Sequence, residues 1–265
     1  MTAPIVSVRD LKVHFPIRKG LLGRATDHVR AVDGVSFDLF PGKTVAIVGE
    51  SGSGKSTTGY AVMGMEQPTA GQVQIDGKDR ATMTPAERHA VTRRLQIVFQ
   101  DPASALNPRM KVRDCIAEPL EIHRIGTAAS RAARVQELLD LVGLPASALD
   151  RLPREFSGGQ KQRIVIARAL ALNPEVIVCD EAVSALDVSI QSQILNLLLE
   201  LQSRLGLAYL FISHDLSVVR HISDEIVVMH RGRVVEAGPT DALFAATRDP
   251  YTQKLLAAVP RPEVQ

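Results

Sequence analysis

Nine consecutive residues carry the strongest chemical signal in the chain: Gly49-Glu50-Ser51-Gly52-Ser53-Gly54-Lys55-Ser56-Thr57. A glycine, four residues, then Gly-Lys-Ser is the spacing of a phosphate-binding loop. Glycines tolerate positive φ and carry no Cβ, so successive backbone N–H groups can turn toward one anion. Lys55 adds a cation for β- and γ-phosphates, and the Ser56 hydroxyl is a ligand for Mg²⁺. The setting agrees. Thr44-Val45-Ala46-Ile47-Val48 is an apolar run that reads as a buried strand, and Ser56 to Met65 reads as a helix whose N-terminus faces the phosphates.

Two further stretches could do chemistry. Val176-Ile177-Val178-Cys179 reads as a second buried strand and runs into Asp180-Glu181. Ligands of open α/β sheets lie at the carboxyl ends of strands. There Asp180 can hold Mg²⁺ through water, opposite Ser56, while Glu181 points elsewhere and can polarise an attacking water. Phe156-Ser157-Gly158-Gly159-Gln160 precedes a predicted helix, Lys161 to Leu172. Ser157 can cap it, and its N-terminus makes either an ordinary capped start or a second anion site.

The elements that must position these residues follow from pattern. Ile5 to Phe15 and Val32 to Leu39 read as strands, with Pro16 stopping the first and a basic, exposed loop at 16–30 between them. Val73-Gln74-Ile75 before Asp76-Gly77 signals a hairpin. From Pro85 to about Leu172 helical material dominates, with apolar positions at helical spacing at Ala132, Val135, Leu138, Leu139 and Val142. Val188 to Leu205 is a long helix, and Ala208 to Ser213 is a strand that ends in His214-Asp215. Glu225 to Met229 and Arg233 to Glu236 are strands joined at His230-Arg231-Gly232, and Asp241 to Ala246 and Pro250 to Val259 are terminal helices. The pattern predicts an α/β fold. It has a P-loop core with a mixed sheet, an N-terminal antiparallel β region and an inserted helical subdomain. The expected division is 1–84 with 173–248 as core, 85–172 as helical subdomain and 249–265 as tail.

Composition narrows the setting. With 265 residues, 45% hydrophobic and 23% charged, the chain is ordinary for a globular protein and long enough for a large core. A net charge of +2 gives no global field toward nucleic acid, so no nucleic-acid partner is expected. Cys115 and Cys179 lie in apolar stretches and read as packed thiols, which suits a reducing cytosol. No apolar run approaches ~20 residues, so any membrane role needs a partner.

In combination, Gly49–Thr57, Gln100, Ser157-Gly158-Gly159-Gln160, Val176–Glu181, Ser184-Ala185-Leu186-Asp187 and His214 resemble, in order and over the whole chain, the ATP-binding-cassette (ABC) ATPases. They look like the Walker A loop, Q-loop, signature motif, Walker B strand, D-loop and switch histidine. The resemblance implies ATP and Mg²⁺, and a head-to-tail dimer in which each ATP lies between one subunit's phosphate loop and the other's signature motif. It assigns Phe15 to adenine stacking, Gln100 to Mg²⁺ and the attacking water, His214 to the γ-phosphate and Asp187 to the dimer interface. Ala182 stands where many such cassettes carry proline, and it removes no functional group.

A narrower likeness is to the ATPase subunits of oligopeptide, dipeptide and nickel importers. It rests on Phe99-Gln100-Asp101-Pro102, Ala105 to Met110, Glu181 to Gln191, Asp249 to Pro260 and the basic stretch at 16–30. The expectation is an importer's ATP-hydrolysing subunit on the cytoplasmic face of the membrane. Its partners would be a second, related ATPase chain, two transmembrane permease subunits and an extracytoplasmic solute-binding protein. Several such subunits carry an iron–sulfur cysteine cluster beyond this tail. With two cysteines in the sequence, no such cluster is expected within this chain. Two other classes stay in play: a soluble ABC ATPase acting on ribosomes or DNA, and a non-hydrolysing module that only dimerises on ATP. Single-cassette length and charge argue against the first, and Glu181 with His214 against the second.

Overall fold

The computed structural model describes residues 3–18 and 25–257. In chain order the strands and helices are β1 (Val6–Arg18), β2 (Ala25–Leu39), β3 (Thr44–Val48), α1 (Lys55–Met63), β4 (Ala70–Ile75), β5 (Lys78–Asp79), α2 (Pro85–Arg94), β6 (Leu95–Val98), α3 (Pro102–Ala105), α4 (Val112–Ile122), α5 (Ala128–Leu141), α6 (Gly158–Leu170), β7 (Val176–Asp180), α7 (Val188–Leu205), β8 (Ala208–Ser213), α8 (Leu216–Ile222), β9 (Glu225–His230), β10 (Arg233–Pro239), α9 (Thr240–Ala245) and α10 (Pro250–Ala257). By its contacts the chain divides into two compact units, Met1–His89 with Ala208–Gln265, and Ala90–Leu207.

The first unit holds an antiparallel sheet in the order β2-β1-β4-β5. Its buried side chains include Val6, Val8, Leu11 and Val13 of β1 and Val32, Val35, Phe37 and Leu39 of β2. The inward frame of β1 shifts between Val8 and Leu11, where a register break and a left-handed Asp10 (φ 44°) insert an extra residue. The sequence reading ended β1 at Pro16 and began the next strand at Val32. Instead, pairing with β2 continues through Pro16↔His28 to Arg18↔Ala25. The reason is local. β4 leaves β1 after Lys12↔Ala70, so beyond that point β1 has only one partner strand and a residue without an N–H is tolerated. Lys19 and Arg24 of the expected basic stretch lie outside the described residues, as does the tail beyond Ala257.

The same unit carries strands in the order β10-β9-β3-β8, with β3 parallel to both β8 and β9, and β10 antiparallel to β9. All five residues of β3 and all six of β8 are buried, as expected of parallel strands covered on both faces. The two runs end level, because Val48 pairs with Ser213.

The second unit pairs β6 with β7 in parallel, from Leu95↔Val176 to Val98↔Cys179. Strand β6 lies inside the stretch read as helical. It follows α2 directly, with no glycine or proline to mark the change. Helix α6 packs on α3, α4, α5, α7 and β6. Its Ile164, Ile166 and Ala167 are fully enclosed, and a buried aliphatic side chain of isoleucine size contributes about 1.5–3 kcal/mol. In α5, Val135, Leu138 and Leu139 face inward as their spacing predicts, while Ala132 is exposed. Both cysteines are buried and free, and burial pushes their thiols up, Cys115 to about 11 and Cys179 to about 12. Among the described residues no helix is long and apolar enough to cross a membrane.

Candidate functional site

In the first unit the loop after β3 has the geometry of an anion cradle. Gly49 (φ 152°), Gly52 (φ 78°) and Gly54 (φ 101°) occupy conformations that favour glycine. A Cβ on Gly49 would collide with the Met229 carbonyl, and one on Gly54 with the Ala31 carbonyl. Gly54 is the N-cap of α1 and supplies no side-chain cap, so the first turn of the helix is not closed by a side chain from within the loop. The Ser53 hydroxyl is buried and has no hydrogen-bond partner. A glycine cradle at a helix N-terminus with an unsatisfied buried hydroxyl fits a phosphate group.

Lys55 opens α1 and is only 4% exposed. Its Nζ donates to the carbonyls of Gly49 and Glu50, both at 2.9 Å, which draws the ammonium over the loop. The loop is also held from outside. Gly232 N–H, in the turn between β9 and β10, donates to the Ser53 carbonyl at 3.0 Å. Glu50 N–H donates to the Tyr251 hydroxyl at 3.0 Å, and the Tyr251 ring stacks on His230 at 4.0 Å. Burial raises the Tyr251 phenol above its usual range, so at neutral pH it stands as a hydroxyl. Because Val48 and Ser213 are register partners, Gly49 and His214 are the next residues of neighbouring parallel strands. His214 is exposed, and Asp215 after it caps α8 by accepting from Ser217 N–H at 2.8 Å. Phe15 pairs with Val29 in the part of the β1–β2 ribbon beyond β4, and both are exposed, Phe15 at 39%.

In the second unit, the register of β6 with β7 brings Gln100 and Glu181 out of neighbouring strand ends. Gln100 Nε2 donates to Glu181 Oε2 at 3.0 Å and to Ser184 Oγ at 3.3 Å. Glu181 itself has φ 49°, a left-handed backbone that an L-residue adopts at a cost and that clusters at functional sites. Asp180, the last residue of β7, is 4% exposed.

Also in this unit, Ser157 caps α6 in a reciprocal pair with Gln160. Ser157 N–H donates to Gln160 Oε1 at 3.0 Å and Gln160 N–H to Ser157 Oγ at 3.4 Å. Ser157, Gly158 and Gln160 are exposed. Gly159 has a packing reason, since a Cβ there would lie 2.5 Å from Ile190 Cγ2 of α7. Asp187, the N-cap of α7, makes no side-chain cap bond and is exposed, as is Val188 at 79%.

Each unit thus groups part of the expected set: the phosphate loop with His214 and Phe15 in one, and Gln100 with Asp180, Glu181, Ser157–Gln160 and Asp187 in the other. Sequence reasoning missed Tyr251 and His230. Tyr251 entered only as part of the Asp249 to Pro260 likeness and His230 only as part of a hairpin turn, and neither signal names a partner.

The ABC transporter family profile matches residues 32–184. The chain is 54% identical over 257 residues to the glutathione import ATP-binding protein GsiA of Escherichia coli (strain K12), which covers 97% of this chain and 41% of that protein. The chain therefore spans about two fifths of the length of the curated relatives it matches. Among solved structures it resembles cbiO1 from Clostridium perfringens, part of the ABC transporter complex cbiONQ. That match has a TM-score of 0.80 at 28% identity and covers 92% of this chain and 91% of that one. It also resembles the dimeric ATP-binding cassette MJ0796 in a post-hydrolysis state bound to ADP and Pi, with a TM-score of 0.77 at 28% identity, covering 89% of this chain and 98% of that one. With its loop geometry, its strand-end carboxylates and these likenesses, the chain belongs to the ABC transporter family, among its ATPase cassettes.

Proposed function

We propose that this chain hydrolyses ATP to power an importer, and that the solute is a peptide or a peptide-like compound. The observation that carries the hydrolytic reading is the Gln100–Glu181 pair, a carboxylate held at a strand end by an amide on the neighbouring strand. Glu181 acts as the base or positioning group for the attacking water, and Gln100 orients it. Residues 49–57 hold the triphosphate through backbone N–H groups, Lys55 and the hydroxyls of Ser56 and Thr57, and His214 contacts the γ-phosphate. Phe15 stacks on adenine, which its exposure allows. Among the described residues no group of three or more His, Cys, Asp or Glu side chains is placed to hold a metal ion. On the family resemblance alone, Ser56, Asp180 and Gln100 would hold the Mg²⁺ that accompanies ATP, with phosphate oxygens and water supplying the rest of its shell, where it would offset phosphate charge.

The exposed Ser157–Gln160 segment and Asp187 support a head-to-tail pair in which this signature segment meets a partner's ATP. In this reading residues 85–172 pass the motion of closure to transmembrane permease subunits at the cytoplasmic face of the membrane. An extracytoplasmic binding protein delivers the solute, and the second ATPase is a related chain. Glutathione is itself a tripeptide, so the relative's name supports peptide-like cargo.

The test is purification of the native membrane complex followed by uptake into vesicles with peptides, glutathione and nickel as competing solutes. Peptide or glutathione uptake that depends on ATP is expected. Recovery with ribosomes or DNA in place of a permease would sink the importer reading, and nickel uptake alone would sink the peptide one.

A further inference from the structure

The peptide unit joining Gly49 to Glu50 is gripped at both ends. Its carbonyl accepts from Lys55 Nζ at 2.9 Å, and its N–H donates to the Tyr251 hydroxyl at 3.0 Å. A hydrogen bond at one end of a peptide polarises the group and strengthens the bond at the other. The phenol therefore fixes both the orientation and the acceptor strength of a carbonyl on which the loop lysine rests.

Tyr251 is well placed to do this because its own position is fixed from three sides. Its ring lies nearly parallel to His230, with a 12° interplanar angle. Its N–H donates to Asp249 Oδ1 at 2.8 Å, which starts α10. The segment just before is stitched to β10 by Glu236, which accepts from the Thr247 hydroxyl at 2.7 Å and from Arg248 N–H at 2.9 Å. His230 and Gly232 belong to one turn, so the turn that stacks on Tyr251 also donates to Ser53. The phosphate loop is braced at Glu50 and at Ser53 from a single patch.

We propose that Tyr251 is a positioning residue for Lys55, and that α10 acts through it as a brace on the triphosphate site, so that displacing the terminal helix weakens nucleotide binding. This rests on the reading of residues 49–57 as that site. A tyrosine that served packing alone would need only its ring; the hydroxyl reaches the loop backbone.

The experiment compares wild type, Tyr251→Phe and Lys55→Ala in the full chain, using equilibrium dialysis with Mg·ATP, thermal unfolding, and kcat and KM where turnover is measurable. Tyr251→Phe keeps the ring and loses the hydroxyl. One neutral hydrogen bond translates into a weakening of ATP binding of about 3- to 10-fold. The rise is expected in Kd and KM, with kcat and the unfolding midpoint unchanged. Wild-type ATP affinity in Tyr251→Phe, with Lys55→Ala unable to bind, would overturn the brace and leave the phosphate site standing. Normal ATP binding by Lys55→Ala would overturn the site and the brace with it. A loss of affinity in Tyr251→Phe matched by a fall in the unfolding midpoint would make the hydroxyl merely structural and overturn the proposal.

Discussion

The Gln100 side-chain amide donates to the Glu181 carboxylate at 3.0 Å, from a position two residues past the end of β6 to one immediately past β7. The two side chains meet because the parallel register ends Val98 level with Cys179. The amide holds one carboxylate oxygen of a residue whose own backbone is left-handed, a conformation that clusters at functional sites.

Glu181→Gln keeps the shape and removes the carboxylate proposed as the base. ATP binding should persist while hydrolysis falls by about 10²- to 10⁴-fold, the usual contribution of a positioned base. Phosphate release in the assembled transporter, measured beside ATP affinity, checks this; turnover near the wild-type rate would show that Glu181 is not the base.

Lys55→Ala removes the ammonium that rests on the Gly49 and Glu50 carbonyls. Nucleotide binding should be lost, as read by dialysis with labelled ATP. The loss should be specific to phosphate-bearing ligands, with the fold unchanged by circular dichroism.

Gly158 is exposed at the start of α6, and a Cβ there meets only Leu186 Cδ2 at 3.3 Å. Gly158→Asp should therefore fold and bind ATP at its own loop. It should block closure on a partner's γ-phosphate, because like charges at contact distance repel strongly. Mixed dimers carrying Gly158→Asp and Lys55→Ala give the test. In one subunit together, the two changes damage both composite sites; in opposite subunits, both fall on one site and leave the other intact. Equal ATP occupancy and closure in the two arrangements would remove the trans-acting role.

Gly159→Ala places a methyl 2.5 Å from Ile190 Cγ2, where α6 meets α7. Overpacking of this kind costs about 1–3 kcal/mol. Denaturant unfolding should show it as a lower midpoint with an unchanged slope, and Ile190→Ala, which removes the colliding Cγ2, should restore part of the loss in the same chain.

Burial works against ionisation of Glu236, yet its donors, among them Arg248 N–H, the Thr247 hydroxyl and Asp249 N–H, together outweigh it and hold the carboxyl below its usual value of 4.5. A depressed carboxyl stabilises the fold above its unfolded value and loses that contribution as pH falls through the folded one. Docking of α10 should thus be pH-independent above about 4.5 and weaken below it. With no tryptophan in the chain, tyrosine emission can follow the change, and Glu236→Gln should abolish the acid-dependent step.

Much of this was legible in the sequence for a physical reason. Strands covered on both faces must be apolar throughout, so β3, β7 and β8 stand out as runs. Loop glycines and the residues after strand ends are then fixed by spacing. Other features depend on neighbours the sequence does not display. Pro16 reads as a stop because a proline breaks a ladder, and only the departure of β4 makes it harmless. Leu95-Gln96-Ile97-Val98 is too short to show a period and becomes a strand by pairing with β7. The Tyr251–Glu50 bond joins residues 201 apart and leaves no local trace.

That separation also sets a schedule for synthesis. Translation at about 5–20 residues per second puts roughly 10–40 s between the making of Glu50 and the making of Tyr251. Strands β8 and β9, which flank β3, also emerge late. A nascent chain therefore displays its phosphate loop on the ribosome long before that loop can be set. On the proposed brace, the loop gains its full hold on nucleotide only once α10 has been made, so ATP favours chains extended through that helix over chains stopped short of it.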